Sequence, residues 1–409
     1  MRYASLLLAL IIAACGPLTP PKPDAGNGGG TATGGGTGTG GGTTSTGGGT
    51  TTGGGTATGG GDGATGGGTA TGGGSATGGG TATGGGGTAT GGGTGAPGFT
   101  WISMTMTPVP TASSFRKVHG IARRASGDTF VGFADGKLYR AAPNSNLLTP
   151  VANFPSPNNT QQFVDLAASG DDLFILRVGT VLHCNTACTD FSEFTVVHTI
   201  AFGPETWGMC ARGEKAFFVL QGTNTQLYAL QRGASLSFEQ ISADVGTARG
   251  EDCFIDATGN VYVGGDNGGA VIFAAGGSTV SPMNLNGHPA ARWTSIAVDG
   301  ANGLMVGGGS GMRVARLNGQ GFSADAPNTS GPLLNVVLAL GPTEFMAAGA
   351  YNGGGGPSVY KYDGTSFTAW TPAPPALNAH RGLVVDADEV YLGGNNLNDN
   401  AYVILHGTR

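Results

Sequence analysis

The sequence predicts an all-β fold, a seven-bladed β-propeller closed by an N-terminal strand that completes the last blade. Three observations predict it. First, a strand-like segment rich in Val, Tyr, Phe and Gly begins at Phe130, Leu173, Phe217, Val261, Leu304, Phe345 and Val390. These starts lie 41 to 45 residues apart, the length of one four-stranded blade. Second, each unit keeps one internal order, and no stretch shows an amphipathic helix period. Third, the two ends of the repeat array are short by complementary amounts.

The internal order is read as four strands. An apolar strand such as Ser295-Ile296-Ala297-Val298 or Gly382-Leu383-Val384-Val385 comes first, and a polar turn such as Ala257-Thr258-Gly259-Asn260 follows it. The repeated segment is the second strand. A third strand (Leu227-Tyr228-Ala229-Leu230, Val359-Tyr360-Lys361-Tyr362) leads through a Gly-containing turn to a fourth with an aromatic near its start (Ser366-Phe367-Thr368-Ala369-Trp370). The seventh unit stops at Arg409 after its third strand, Ala401 to His406, while an orphan strand, Gly98 to Met104, precedes the first unit and matches the fourth-strand pattern. If the orphan completes blade 7, the ring closes and no blade is left with a long open edge. The propeller is therefore expected over residues 98–409.

The repeats resemble those of bacterial secreted propellers of the kelch-like and Asp-box-like kind, with Tyr362-Asp363-Gly364-Thr365-Ser366-Phe367 as the nearest match. The resemblance covers about Phe99 to Arg409 and implies architecture rather than activity. The strict Ser-x-Asp-x-Gly-x-Thr-Trp box is absent, so nothing favours a sialidase.

Residues 1–14 read as a signal peptide. Arg2 precedes an apolar run, Ala4 to Ala14, too short to span a bilayer as a helix. Ile12-Ala13-Ala14-Cys15 resembles the bacterial lipobox, which implies that Cys15 is lipidated and becomes the mature N-terminus. Two or three acyl chains would hold the protein at a membrane durably. Gly16 rather than Asp follows the cysteine, which under the common sorting rule favours the outer membrane. Residues 15–97 repeat TATGGG-like units with almost no charge and no aromatic residue. Such a segment cannot bury apolar surface and is expected to be a disordered tether, with a reach of roughly 45–55 Å.

With Cys15 assigned to lipid, four of the five cysteines remain in an exported chain, and two disulfides are expected. Three pairings are possible; spacing favours Cys184 with Cys188 across a turn and Cys210 with Cys253 between neighbouring first strands. The formal charge of -6, without a basic run, excludes the electrostatic footprint of nucleic-acid binding.

Propellers bind ligands where the first strands begin. Aligning the repeats places His119, Asp165, Trp207, Glu251 with Asp252, Trp293 with Thr294, Asn335, and His380 with Arg381 at that mouth. Such groups can serve binding, acid–base chemistry or a metal, and every propeller has some ring of this sort. Asn/Asp/Gly loops at Gly265–Gly269 and Asn395–Asn400 offer oxygens suited to Ca²⁺, yet those residues are also what tight turns demand. No nucleophile, zinc or phosphate-loop motif occurs, and neither a cofactor nor a metal is expected. The sequence thus points to a monomeric, non-catalytic envelope propeller that binds or scaffolds a protein or polysaccharide. The rivals are an envelope glycan hydrolase or lyase, and an assembly factor for another envelope complex.

Overall fold

The computed structural model describes residues 51–52, 70–71 and, from 98 to 409, all but 109–117, 134–135, 156–162, 201–204, 222–223, 246–249, 266–268, 284–291, 309–312, 319–321, 325–332, 351–356 and 397–400. In the unit Met1–Thr94, Thr51–Thr52 pairs in parallel with Ala70–Thr71. The targeting segment, Cys15 and the rest of the expected tether lie outside the described residues.

The unit Gly95–Arg409 is a seven-bladed β-propeller with one sheet to each repeat; among the described residues the sheets of blades 2 to 7 are four-stranded and antiparallel. The first, innermost strands are Val118–Arg123, Phe163–Ser169, Glu205–Arg212, Gly250–Ile255, Arg292–Asp299, Leu333–Gly341 and Asn378–Asp386. Each pairs with the repeated segment, which is the second strand in every blade, as expected. Second strands lie between two others in their own sheet and are covered on both faces by adjacent blades. They are therefore apolar without alternation: all five residues of Thr129–Phe133 and of Val261–Gly265 are buried. Outer strands meet solvent and mix polar with apolar residues, as in Leu236–Ser242.

The ring closes through the N-terminal strand. Thr100–Ser103 runs antiparallel to Tyr402–Thr408, with Thr100 opposite Thr408 and Ser103 opposite Leu405, and so supplies the fourth strand of blade 7. Both strands are shifted slightly from their expected bounds, and the third extends two residues past His406. Phe99, fully buried, packs at 5.6 Å from Trp101 and 5.5 Å from Trp370 of blade 6. The Arg409 guanidinium lies 4.6 Å from the Phe99 ring and pairs with Glu344 of blade 6 at 2.6 Å, a cation over an aromatic face joined to an ion pair.

The chain then does something the repeats do not announce. Beyond the closing strand, Thr105–Met106 adds in parallel to Leu147–Leu148, making blade 1 five-stranded. This covers part of the outer edge of blade 1 and straps blade 7 to it. On the same seam, Glu389 accepts from Arg123, the Tyr391 hydroxyl and the His406 imidazole, whose Nδ1 meets Asn146 Oδ1 at 2.9 Å.

Both expected disulfides are present. Cys184–Cys188 spans the loop between the third and fourth strands of blade 2, and Cys210–Cys253 joins the first strands of blades 3 and 4. Inside the first loop Glu193 takes N–H bonds from Cys188, Thr189 and Asp190 and hydroxyl bonds from Thr186 and Thr189. These donors favour the charged form and hold its carboxyl down at about 2.

Phe99 directly precedes the closing strand and sits where three aromatic side chains, its own included, and a guanidinium meet. Phe99→Ala is expected to cost about 3–5 kcal/mol in denaturant-induced unfolding. A loss below about 1 kcal/mol, within the range of a surface substitution, would mean that the strand merely lies against the ring.

Candidate functional site

The first strands surround a central cavity of about 480 Å³ whose wall includes Asp165, Asp252, Ser295, Asn335, His380 and Arg381. What shapes this wall is a β-bulge near the start of every first strand. Pairing with the second strand skips His119, Val164, Trp207, Glu251, Thr294, Asn335 and His380 in blades 1 to 7 respectively. A bulge puts two residues opposite one and re-aims the side chains around it, so each blade presents a bulge residue and its successor outside the ordinary alternation.

The successors are Gly120, Asp165, Gly208, Asp252, Ser295, Val336 and Arg381, and each of the four polar ones reaches to the next blade. Asp165 Oδ2 accepts from Met209 N of blade 3 at 3.0 Å, and Asp252 Oδ2 accepts from Ile296 N of blade 5 at 3.1 Å. Ser295 Oγ accepts from Val337 N of blade 6 at 3.1 Å. At the next junction the bulge residue itself acts, Asn335 Nδ2 donating to Ala379 O at 3.0 Å, and Arg381 Nε donates to His119 O at 2.7 Å across the closure. Among the described residues the inner edge of each first strand has no sheet partner, so these bonds satisfy backbone groups that would otherwise be open.

Two junctions carry glycine instead. A Cβ on Gly120 would stand 2.5 Å from Leu166 N, so the backbones of blades 1 and 2 approach too closely for any side chain. At Gly208 the equivalent Cβ would be 3.3 Å from the Asp252 Cα. There the Cys210–Cys253 disulfide makes the link that a side chain makes elsewhere.

The wall is electrostatically unbalanced. Burial raises the carboxyls of both Asp165 and Asp252, and Arg381 opposes this for each. The negative charge of Asp165 adds to burial at Asp252, where the N–H of Ile296 and the hydroxyl of Ser295 compensate only partly, and the group is pushed up to about 7. Asp252 is open to the lumen yet ringed by protein, so water reaches it without solvating it as bulk would.

The expected mouth residues are largely brought together. Asp165, Asp252, Asn335, His380 and Arg381 line the cavity. His380 Nε2 sits 2.8 Å from Asn395 Oδ1. His119 and Thr294 are at bulges beside it, half-buried, with the Thr294 hydroxyl on Val306 O. Trp207 and Glu251 occupy bulges, but their side chains lie outside the described residues. Trp293 is a correction: it precedes the bulge and is fully buried, packed beside Gly264 in the core between blades 4 and 5. It therefore offers no surface to a ligand in the lumen. Sequence reasoning missed Ser295, although its place in the repeat is that of Asp165 and Asp252. Residues 266–268 and 397–400 of the two oxygen-rich loops also fall outside the described residues, and no group of three or more metal-ligating side chains occurs among the described ones.

No family model matches the chain, and no curated protein matches it. Solved structures do. YCF48 bound to a D1 peptide is 10% identical over 76% of this chain and 97% of its own, with a TM-score of 0.56. A catalytically inactive virginiamycin B lyase from Staphylococcus aureus with quinupristin is 9% identical over 76% of this chain and 99% of its own, TM-score 0.54. The WD40 repeats of RRP9 are 10% identical over 75% and 97%, TM-score 0.56. At such identities the likeness is one of fold, and the fold shared is the propeller.

Gly120→Ala forces a backbone shift at the junction of blades 1 and 2 and is expected to lower stability by about 1–3 kcal/mol. Calorimetry checks this. An unchanged midpoint would show that the two first strands can separate without loss.

Proposed function

We propose that the protein is a cell-envelope lipoprotein whose propeller is a non-catalytic binding or scaffold module for a protein or polysaccharide partner. Residues 1–14 direct export, Cys15 carries lipid, and residues 15–97 tether the propeller to the outer membrane. A long tether widens the volume in which a fixed anchor can meet its partner. The repeats are of the kelch-like kind, and the chain works as a monomer.

The observation that carries the binding reading is the ring of seven bulges. Its bulge residues in blades 1, 3, 4 and 7 are His119, Trp207, Glu251 and His380, a chemically mixed set at equivalent positions of the repeat. The carboxylates of Asp165 and Asp252 are meanwhile occupied with backbone N–H groups of neighbouring blades. That division suits a recognition surface on a rigid frame. The peptide held by YCF48 makes a protein segment a fitting partner class for this fold.

One observation favours the second reading, a glycan hydrolase or lyase. A carboxyl pushed up to about 7, as at Asp252, can serve as a general acid near neutrality.

Two experiments test these readings. Cys15→Ser is expected to move the protein from the membrane fraction to the soluble one, and retention at the membrane would remove the lipid anchor from the account. Crosslinking in intact cells, with the captured partner identified, is expected to yield a partner whose capture falls at least about tenfold in Trp207→Ala/His380→Ala, the loss of about 1.4 kcal/mol or more of contact. Undiminished capture would place binding elsewhere on the propeller.

A further inference from the structure

We propose that Cys184–Cys188 is a redox-active pair that a dithiol reduces reversibly, with Arg124 holding the released Cys188 sulfur as a thiolate, and that its state sets an outer latch between blades 1 and 2.

Charge balance around the bridge carries the chemistry. Asp128 of blade 1 stands between two guanidiniums, Arg124 Nη2 at 3.1 Å and Arg140 Nη2 at 2.5 Å. Arg124 and Asp128 are buried, so this group of two cations and one anion keeps a positive charge in excess away from water. The other end of Arg124 points into blade 2, where Nη1 lies 3.1 Å from Cys188 Sγ and donates to Thr186 O at 2.6 Å. A disulfide sulfur offers that guanidinium a weak acceptor, whereas a thiolate offers it a full counter-charge. Glu193, the carboxylate of this loop, is already held by donors of the loop itself: the N–H groups of Cys188, Thr189 and Asp190 and the hydroxyls of Thr186 and Thr189.

The backbone points the same way. Cys188 sits at φ 53°, in the left-handed region that a residue with a side chain rarely adopts, and it is held there by a bridge to the end of the strand Thr180–Cys184. Both sulfurs are buried beneath the exposed residues 185–187. Attack on them therefore follows a local lifting of that short cover, which parts Thr186 from Arg124 and Glu193. Cys210–Cys253 differs on each count. Its cysteines lie in regular ladders opposite Phe217 and Val263, and the Phe217 carbonyl oxygen, 4.0 Å from Cys253 Sγ, opposes negative charge on sulfur.

In the exchange, a thiolate of the dithiol attacks Cys184 Sγ, the Cys184–Cys188 bond breaks, and its electron pair leaves with Cys188 as a thiolate beside Arg124. The second thiolate of the reductant then attacks the reductant's own sulfur in the mixed disulfide, and Cys184 departs and takes up a proton. Two electrons pass from the dithiol, which ends as a disulfide, to the pair; of the dithiol's two protons one ends on Cys184 and one in solvent.

The loop that the bridge closes is docked on blade 1. Ala152 N donates to Thr189 O at 2.8 Å, Phe191 N donates to Ala152 O at 2.9 Å, and Asn153 Nδ2 donates to Asp190 Oδ2 at 2.5 Å. Phe154 packs against Phe191 and Phe194. Cutting the bridge frees Cys188 to leave its left-handed backbone, and the bonds that follow it in the chain loosen with it.

The test equilibrates the whole protein with graded ratios of reduced to oxidised dithiothreitol, then alkylates it and maps the cysteines by mass spectrometry. Cys184–Cys188 should reach half reduction at a ratio at least about tenfold lower than Cys210–Cys253. In Arg124→Gln that ratio should rise at least about tenfold, while the ratio for Cys210–Cys253 stays where it was. Should this variant fail to fold, alkylation of the reduced wild type at pH 6 asks the same question, and Cys188 should react at least about tenfold faster than Cys184. Hydrogen exchange reads the latch. Reduced under conditions that spare Cys210–Cys253, the protein should lose protection at the Ala152 and Phe191 amides at least about tenfold, while Val245 N, bonded to Thr225 O in blade 3, holds steady. Reduction of both bridges at one ratio, equal reactivity of Cys184 and Cys188, or unchanged protection after reduction would overturn the proposal.

Discussion

The constraint on which this structure rests is that a sheet edge cannot be left open where the chain begins and ends. Seven blades around an axis need a seam, and here the seam is the antiparallel pairing between Thr100–Ser103 and Tyr402–Thr408, followed by the parallel strap of Thr105–Met106 on Leu147–Leu148. The pairing makes blade 7 complete. It also brings residues about 260 apart in sequence into contact, as in the Arg381 bond to His119 O and the His406 contact with Asn146. Without it, blades 7 and 1 would not be neighbours, and the channel would have no wall on that side. The aromatic cluster of Phe99, Trp101 and Trp370, with Arg409 above it, provides the apolar burial that holds so short a strand in place.

Inside the ring, one backbone device serves two ends. The bulge at the start of each first strand disrupts the ladder locally, and the residue after it either grips the next blade or is small enough to let that blade come close. The topology is uniform while the chemistry differs at each junction: Asp, Ser, Asn and Arg side chains make hydrogen bonds, glycine gives direct approach, and one disulfide stands in for a side chain. A scaffold held together at its axis by such different groups responds unevenly to solution conditions, because only some of them titrate. Conserving rigidity while varying the groups at the mouth is also how a propeller frame can accept new ligands without changing its fold.

Much of the fold was legible in the sequence because burial on both faces leaves a mark that survives divergence. The apolar second strands, from Phe130 to Val390, announced both the number of blades and their phase, and the two incomplete ends announced the closure. The level of the mouth was legible too, since repeat alignment reached the bulge residue or its neighbour in every blade. What periodicity cannot show is the bulge itself. One extra residue in a strand reverses the alternation beyond it, so Trp293 and Thr294 look equally suited to face the lumen, although the large aromatic fills the core instead. The strap at Thr105–Met106 left no signal either, for a parallel pairing of two residues has no repeat to match. Gly120 and Gly208, standing at the place of Asp165, Asp252 and Ser295, mark the position where blades touch, but the meaning of that pattern depends on distances that only the folded ring supplies.

The seam is most directly tested by trapping it. In a chain carrying Thr100→Cys and Thr408→Cys, residues that stand opposite each other in the closing pair, mild oxidation should join the two positions in the folded protein. The crosslink closes a loop of about 300 residues and should raise the unfolding midpoint, since crosslinks that close long loops restrict the unfolded chain most. Failure of these cysteines to pair in a protein that is otherwise folded, with its two native disulfides intact, would contradict the closed ring.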